Sequence, residues 1–209
     1  MRTEIKYSLY ADYFRASGTC GRWKMLKSLL RRHHPGFSYL VALRICQNLS
    51  LKKGRLFRIL LRLAECNLRR VQLKYGTEIP WQTEPGAGLL LPHPGGIVIH
   101  PGVRIGKNCT VLQGVTIGNN LYQDRNAVAV IGENVIISAG VVIVGPVTIG
   151  DNVTIGANAV VTRDIPSGCV VAGVPAQIIA TKASVLINCD YVSLSSFIQK
   201  TSKTKEGVK

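Results

Sequence analysis

Two of the four histidines, His93 and His100, lie beyond the first third of the chain and have the side chain best suited to acid–base chemistry. An unperturbed imidazole has a pKa of about 6.5, so near neutral pH it can take a proton from an attacking hydroxyl group. His93 lies between Pro92 and Pro94 in a segment that interrupts a regular repeat, whereas His100 lies in an ordinary corner of that repeat. Insertions in repeat proteins often lie on the binding face. We therefore predict that His93 is a catalytic base and His100 is structural, the alternative for His93 being a corner residue without a chemical role.

A six-residue period positions this histidine. Aliphatic residues stand six apart, most regularly in the run from Ile131 to Val161, and Gly, Asn or Asp fills the turns between them. A hairpin meander would alternate with period two and a helix with period 3.6, so neither fits. We predict a triangular solenoid with three hexads to a coil and the aliphatic side chains inside. The predicted interior positions are Ile79, Leu91, Ile99, Ile105, Val111, Ile117, Ile131, Ile137, Ile143, Ile149, Ile155 and Val161.

Two insertions interrupt the hexads. Eight residues instead of six separate Leu91 from Ile99, and fourteen instead of twelve separate Ile117 from Ile131. The first insertion contains His93. The second is polar, and in a solenoid both are expected to form loops.

Positive charge is concentrated in the first third of the chain. The 209 residues carry a net charge of +15, and residues 1–76 alone hold 17 Lys or Arg against 3 Asp or Glu. We therefore predict a basic α-helical region over residues 1–76, a catalytic solenoid over 77–180 and a C-terminal tail over 181–209. Apolar residues at three- and four-residue spacing, such as Leu56, Ile59, Leu60 and Leu63, predict three or four short amphipathic helices with basic outer faces. These faces either contact an anionic membrane surface or face solvent.

Composition excludes several classes of protein. Hydrophobic residues make up 46% of the chain and charged residues 18%, which provides a core and argues against disorder. The six cysteines form no C-x-x-C pair and no zinc motif, so we expect reduced thiols and no metal. Reduced thiols are typical of cytoplasmic proteins. We therefore expect a cytoplasmic protein, which would be peripheral at the inner face of the membrane if the basic helices bind lipid. The basic region has no recognition motif, so we expect no nucleic-acid partner. A zinc carbonic anhydrase built on such a solenoid needs three histidines, and the solenoid has two.

Specific stretches of the chain resemble a known superfamily. The hexapeptide run, the stretch Leu112–Gly118 and the ending Val171–Ala176 are similar to hexapeptide-repeat acyltransferases, most of all to serine acetyltransferases and their polysaccharide-modifying relatives. The resemblance covers residues 77–180 well and the helices more loosely, through Pro35–Ile45. It implies a mainly β fold, a left-handed parallel β-helix preceded by a small α-helical region. It also implies a homotrimer with acetyl-CoA as co-substrate.

The same resemblance implies roles for particular residues. Related serine acetyltransferases place their catalytic histidine where His93 stands and an aspartate fifteen residues earlier, where this chain has Glu78, with Glu84 as the nearest competitor. Since three hexads make a coil, Glu78 and His93 could be neighbours on adjacent coils. The resemblance places coenzyme A along the later coils. The residues matched to that role are the small residues Ala139, Gly140 and Ala157 beside the pantetheine, and Thr162 and Arg163 near the phosphates.

Departures from the family pattern bear on the acceptor. Pro92 replaces an aspartate that contacts serine in the related enzymes, and Arg125-Asn126 is the closest match to their Arg-His pair. We therefore predict an acetyl-CoA-dependent O-acetyltransferase that acts on a sugar hydroxyl in surface polysaccharide biosynthesis. The alternatives are a serine O-acetyltransferase of cysteine biosynthesis and a non-catalytic solenoid scaffold.

Overall fold

Helices occupy the first third of the computed structural model, which describes residues 3–19, 21–31, 33–120, 127–182, 185–193 and 195–197. They are α1 (Thr3–Ser17), α2 (Arg22–Arg31), α3 (Pro35–Ser50) and α4 (Arg55–Tyr75). Glycines stand next to several of the helix ends: Gly18 follows α1, Gly21 precedes α2 and Gly54 precedes α4. Pro35 occupies the first turn of α3, where its missing N–H group is not needed.

Short strands wind around three faces of the solenoid. The first face contains β1 (Thr77–Glu78), β3 (Ile97–Ile99), β6 (Thr116–Gly118), β9 (Val142–Val144) and β12 (Val160–Val161). The second contains β2 (Glu84–Pro85), β4 (Arg104–Ile105), β7 (Val130–Ile131) and β10 (Thr148–Ile149). The third contains β5 (Thr110–Val111), β8 (Ile136–Ile137), β11 (Thr154–Ile155), β13 (Cys169–Ala172) and the antiparallel β14 (Gln177–Thr181). All pairings other than that of β14 are parallel, as expected for stacked coils.

The interior of the solenoid is the column of aliphatic side chains that the period predicts. None of the twelve predicted positions is more than 3% exposed. Most of the described residues four positions later are buried as well, including Val103, Val135 and Cys109. Burial raises the pKa of the Cys109 thiol to about 12, so this cysteine packs as a small hydrophobic side chain.

Side chains of α3 cover the open end of the solenoid by bonding the backbone of its first coil. The Tyr39 hydroxyl accepts from the N–H of Ile79 and donates to its carbonyl oxygen, both at 2.9 Å. Gln47 donates through its amide nitrogen to the carbonyl oxygens of Trp81 and Thr83, at 3.2 and 2.9 Å. These groups face away from the second coil and have no strand to pair with, so the helix supplies the missing partners.

A buried ion pair continues this cap. Arg44 Nε lies 3.0 Å from Asp12 Oδ2, and the two side chains are 4% and 0% exposed. Arg44 also donates to the carbonyl oxygens of residues 85 and 86, each at 2.7 Å. Asp12 Oδ1 accepts from the N–H groups of residues 88 and 89 at 2.9 and 3.0 Å. The pair therefore joins α1, α3 and the first coil, and both members bond the backbone of that coil as well as each other.

The C-terminal segment returns to α1. The rings of Tyr191 and Phe197 pack against Tyr7, with centroids 6.1 and 5.6 Å apart. The fully buried Arg15 donates to the carbonyl oxygen of Ile187 and to the Thr110 hydroxyl of the second coil, the latter at 2.6 Å. Residues from both ends of the described chain thus share one aromatic and polar cluster beside the first two coils.

Helix α4 packs through a different face than its apolar spacing predicts. The contacts with the core come from Leu61, Ala64, Leu68, Val71 and Tyr75. The expected packing residues are instead open to solvent, namely Leu56 (64% exposed), Ile59 (52%), Leu60 (37%) and Leu63 (63%). The predicted basic outer face of α4 is present, and exposed apolar side chains accompany it. The helix carries two apolar stripes, and periodicity does not tell which one packs. Among the described residues we find no helix with the length and apolar character needed to cross a bilayer.

Candidate active site

His93 lies at the corner that precedes β3, between the ends of two helices. Its side chain is exposed. Gly36, in the first turn of α3, approaches the carbonyl oxygen of Leu91 so closely that a Cβ would lie 2.0 Å from it. On the other side, the N–H of Gly96 donates to the carbonyl oxygen of Gly76, which ends α4 in the left-handed conformation, at 2.6 Å. The backbone on both sides of His93 is thus held by helices while the imidazole remains accessible.

The corner that carries His93 continues down the solenoid, one coil at a time. Backbone hydrogen bonds of 2.8 to 2.9 Å join its successive turns, from Gly114 to Gly95, from Gly140 to Gln113 and from Asn158 to Ala139. The predicted cofactor residues Ala139, Gly140 and Ala157 therefore lie in the same column as His93. Neighbouring coils are about 4.8 Å apart, so Ala157 lies roughly 14 Å along the axis from the His93 corner. An extended thioester arm lying in this column would run past small side chains toward an imidazole.

The two candidate carboxylates occupy different faces. Glu78 is on β1, opposite Val98 of β3, and so lies on the face that begins directly after the His93 corner. Glu84 is on the second face, where its carboxylate lies 3.4 Å from the guanidinium of Arg104. Glu78 is therefore the carboxylate nearer in the fold to His93, although within the described residues no hydrogen bond or ion pair joins the two side chains.

His100 bonds the backbone of its own corner. Its Nδ1 accepts a hydrogen bond from the N–H of Gly102 at 3.1 Å, which closes the corner after β3. This corner lies at the opposite end of β3 from the one that carries His93.

Thr162 and Arg163 lie outside the His93 column, at the corner that follows β12. They line a pocket of about 140 Å³ together with Pro175, Ala176 and Gln177. The N–H of Ala176 donates to the carbonyl oxygen of Val160 at 2.8 Å, which folds the chain ending over this corner. An exposed guanidinium and a hydroxyl at the mouth of a pocket suit a phosphate group. The Val171–Ala176 motif carries the family resemblance but does not by itself indicate a role for its residues. In the structure Val171, Pro175 and Ala176 line the same pocket as Arg163.

Two further points concern metal ligands and the family's Arg-His pair. The described residues contain no group of three or more His, Cys, Asp or Glu side chains arranged to hold a metal ion. Arg125 and Asn126, the closest match to the family's Arg-His pair, lie outside the described residues.

Comparisons with known proteins agree with this geometry. The family model described as bacterial transferase hexapeptide (six repeats) matches residues 129–163, and that described as hexapeptide repeat of succinyl-transferase matches residues 96–121. A serine acetyltransferase from Synechococcus elongatus is 35% identical over 146 residues, which are 70% of this chain and 57% of that protein. The chain spans about half the length of the curated relatives it matches.

Solved structures extend the similarity to the fold. The serine acetyltransferase of Neisseria gonorrhoeae in complex with serine is 32% identical, with a TM-score of 0.68 over 85% of this chain and 70% of that one. That of Brucella abortus in complex with coenzyme A is 25% identical, with a TM-score of 0.69 over 87% of this chain and 68% of that one. The predicted fold, a left-handed parallel β-helix preceded by a small α-helical region, is confirmed.

Proposed function

Because the chain belongs to the hexapeptide-repeat acyltransferase superfamily, in its serine acetyltransferase-like branch, we propose that it transfers an acetyl group from acetyl-CoA to a hydroxyl group. The observation that carries the proposal is the corner column, in which an accessible His93 precedes Ala139, Gly140 and Ala157. Such a column offers an extended thioester a path along the backbone and a base at one end of that path.

The proposed reaction uses His93 as a general base. The acceptor oxygen attacks the thioester carbonyl carbon while the imidazole takes the hydroxyl proton. The C–S bond then breaks, and the imidazolium returns the proton to the departing thiolate, so the products are an acetyl ester and free coenzyme A. Glu78, from the adjoining coil, would orient the ring and stabilise its protonated form once substrates are bound.

The relatives support serine as the acceptor. The similar proteins named above are serine acetyltransferases, and one of them was solved in complex with serine. This support favours the alternative acceptor of the sequence analysis over the sugar hydroxyl. The sugar hydroxyl remains the second candidate on one observation, which is that Pro92 supplies no side-chain donor or acceptor beside His93.

The acceptor is identified by incubating the full chain with acetyl-CoA and either L-serine or a panel of free and lipid-linked sugars. Release of coenzyme A is followed by its thiol, and the acetylated product by mass. We expect acetylated serine. Acetylated sugar without acetylated serine would identify the sugar hydroxyl as the acceptor. Hydrolysis of acetyl-CoA at no more than the background rate with every acceptor would indicate the scaffold alternative.

Arg163 provides a separate test of the donor site. Replacing Arg163 by alanine should raise KM for acetyl-CoA roughly tenfold and leave kcat nearly unchanged, because a charge-assisted hydrogen bond to phosphate contributes about 1.5–3 kcal/mol and would be equally present in ground and transition states. Arg104→Ala is the matched control, since Arg104 is exposed on the second face, away from the pocket. An unchanged KM in Arg163→Ala would remove Arg163 from the donor site.

The homotrimer implied by the family resemblance belongs to the same proposal. Light scattering on the purified chain should give three times the mass of one chain. A monomeric mass in an active preparation would exclude a site shared between subunits.

A further inference from the structure

The open side of α4 carries a continuous set of apolar side chains. Leu56, Ile59, Leu60 and Leu63, here called the apolar stripe, follow one another at the spacing that places them on one side of a helix. Their exposed fractions are 64%, 52%, 37% and 63%. A neighbouring side of α4, which contains Leu61, Ala64 and Leu68, already packs on the core, so the apolar stripe is not the packing face of the helix. Contiguous aliphatic surface of this kind marks a site of interaction.

A row of guanidinium groups runs beside the apolar stripe. At about 100° per residue, Arg55, Arg58, Arg62 and Arg69 lie together on the flank of the helix next to the stripe. Arg55, Arg58 and Arg62 also line an open groove of about 500 Å³ with Ile59, so the two surfaces are in contact there. We call this row the arginine ridge.

One acidic residue of α4, Glu65, borders the arginine ridge. Its carboxylate accepts a hydrogen bond from the indole of Trp81 at 2.9 Å. Four guanidinium groups thus lie beside a single carboxylate, and the flank keeps a strong positive charge. The partner of the open face must therefore be anionic and apolar at once. A second copy would bring one arginine ridge against another, and a nucleic acid would leave the apolar stripe uncovered.

Helix α2 repeats the pattern on a smaller scale. Its exposed apolar residues are Trp23 (84%), Leu26 (46%) and Leu30 (77%), and its charged residues are all basic. Exposed indole and leucine side chains among lysines and arginines are typical of helices that lie in the headgroup region of a bilayer. We propose that the open face of α4 binds the surface of an anionic lipid bilayer, with the apolar stripe inserted below the headgroups and the arginine ridge on the lipid phosphates.

The proposal is tested by sedimenting the full chain with vesicles. One set contains phosphatidylglycerol and phosphatidylcholine, and the other contains phosphatidylcholine alone. We expect binding to the anionic vesicles and at least tenfold weaker binding to the neutral ones, because each basic residue near an anionic surface contributes about a factor of five. Binding to the anionic set should fall with added salt.

Matched pairs of substitutions separate the face from general charge and hydrophobicity. Arg58→Glu with Arg62→Glu should weaken binding about a hundredfold, whereas Lys107→Glu with Lys182→Glu changes the net charge equally and should have a much smaller effect. Ile59→Ser with Leu63→Ser should weaken binding roughly tenfold, whereas Val185→Ser with Ile187→Ser, at residues 76% and 60% exposed elsewhere, should not.

Three outcomes would overturn the proposal. The first is an absence of binding to anionic vesicles, and the second is equal weakening by the control pairs. The third is an effect of Ile59→Ser with Leu63→Ser on the mass measured by light scattering but not on vesicle binding, which would make the face an interface between copies. Acetyl transfer is measured in parallel without lipid, so failure of membrane binding and failure of the proposed function are distinguishable.

Discussion

Replacing His93 by alanine is expected to lower the turnover of acetyl transfer by about a hundredfold or more, the usual contribution of a general base. The hydroxyl acceptor is a poor nucleophile while it keeps its proton, and His93 is the accessible imidazole at the head of the corner column. The side chain is exposed and makes no hydrogen bond within the described residues, so its removal should leave the fold and its stability unchanged. The loss would therefore be one of chemistry.

Initial rates of coenzyme A release at saturating acetyl-CoA measure this effect. His100→Ala is the matched control, because it removes an imidazole from the other end of β3 and should retain most of the activity. Glu78→Gln should give a smaller loss than His93→Ala and should change the pH dependence of kcat, since an orienting carboxylate acts through the histidine. Turnover by a folded His93→Ala variant within about twofold of the parent would remove His93 from the role of base.

Replacing Asp12 by alanine is expected to reduce the free energy of unfolding by about 3–5 kcal/mol. The change leaves the buried guanidinium of Arg44 without its carboxylate and leaves the N–H groups of residues 88 and 89 without an acceptor. A buried charge without a partner and buried donors without an acceptor are both strongly unfavourable. The midpoint of chemical denaturation, followed by circular dichroism, measures the loss.

An apolar replacement of the whole pair distinguishes this ion pair from an isolated one. Isolated buried pairs can often be replaced by hydrophobic residues at little loss of stability. Here Asp12→Leu with Arg44→Met should not restore the midpoint, because backbone groups of residues 85, 86, 88 and 89 would still lack partners. Glu84→Ala, which removes the exposed partner of Arg104, should change stability by about 1 kcal/mol or less. Full recovery in the double variant would show that the pair does not cap the first coil.

The interior of the solenoid could be predicted from the sequence because its period is local. Each hexad repeats the same choice of aliphatic residue and turn residue, so twelve buried positions follow from spacing alone. The place of His93 in an insertion follows from the same count. The spacing of the hexads does not predict the register of β1 against β3. That register puts Glu78 opposite Val98 instead of directly against His93.

The helical third was harder to predict because its packing depends on contacts distant in sequence. The apolar spacing of α4 is compatible with two buried sides. Packing against the end of the solenoid decides which of them is buried, and it is the side that contains Leu68. Likewise, nothing local marks Asp12 and Arg44 as a buried pair, since they are 32 residues apart and meet only when α1 and α3 cross the first coil. Gly36 could have been suspected as a close-contact position, but its partner Leu91 could not.

The cap on the first coil also governs how the molecule can self-associate. Unpaired strand edges are templates for further strands, and a stack of coils would otherwise offer one such edge at each end. Tyr39, Gln47, Arg44 and Asp12 occupy the edge at the first coil, whereas β14 at the other end is exposed and, within the described part of the chain, pairs only with β13. Growth of a fibre needs two complementary edges on every molecule. With one edge sealed, strand addition between molecules stops at a tail-to-tail pair.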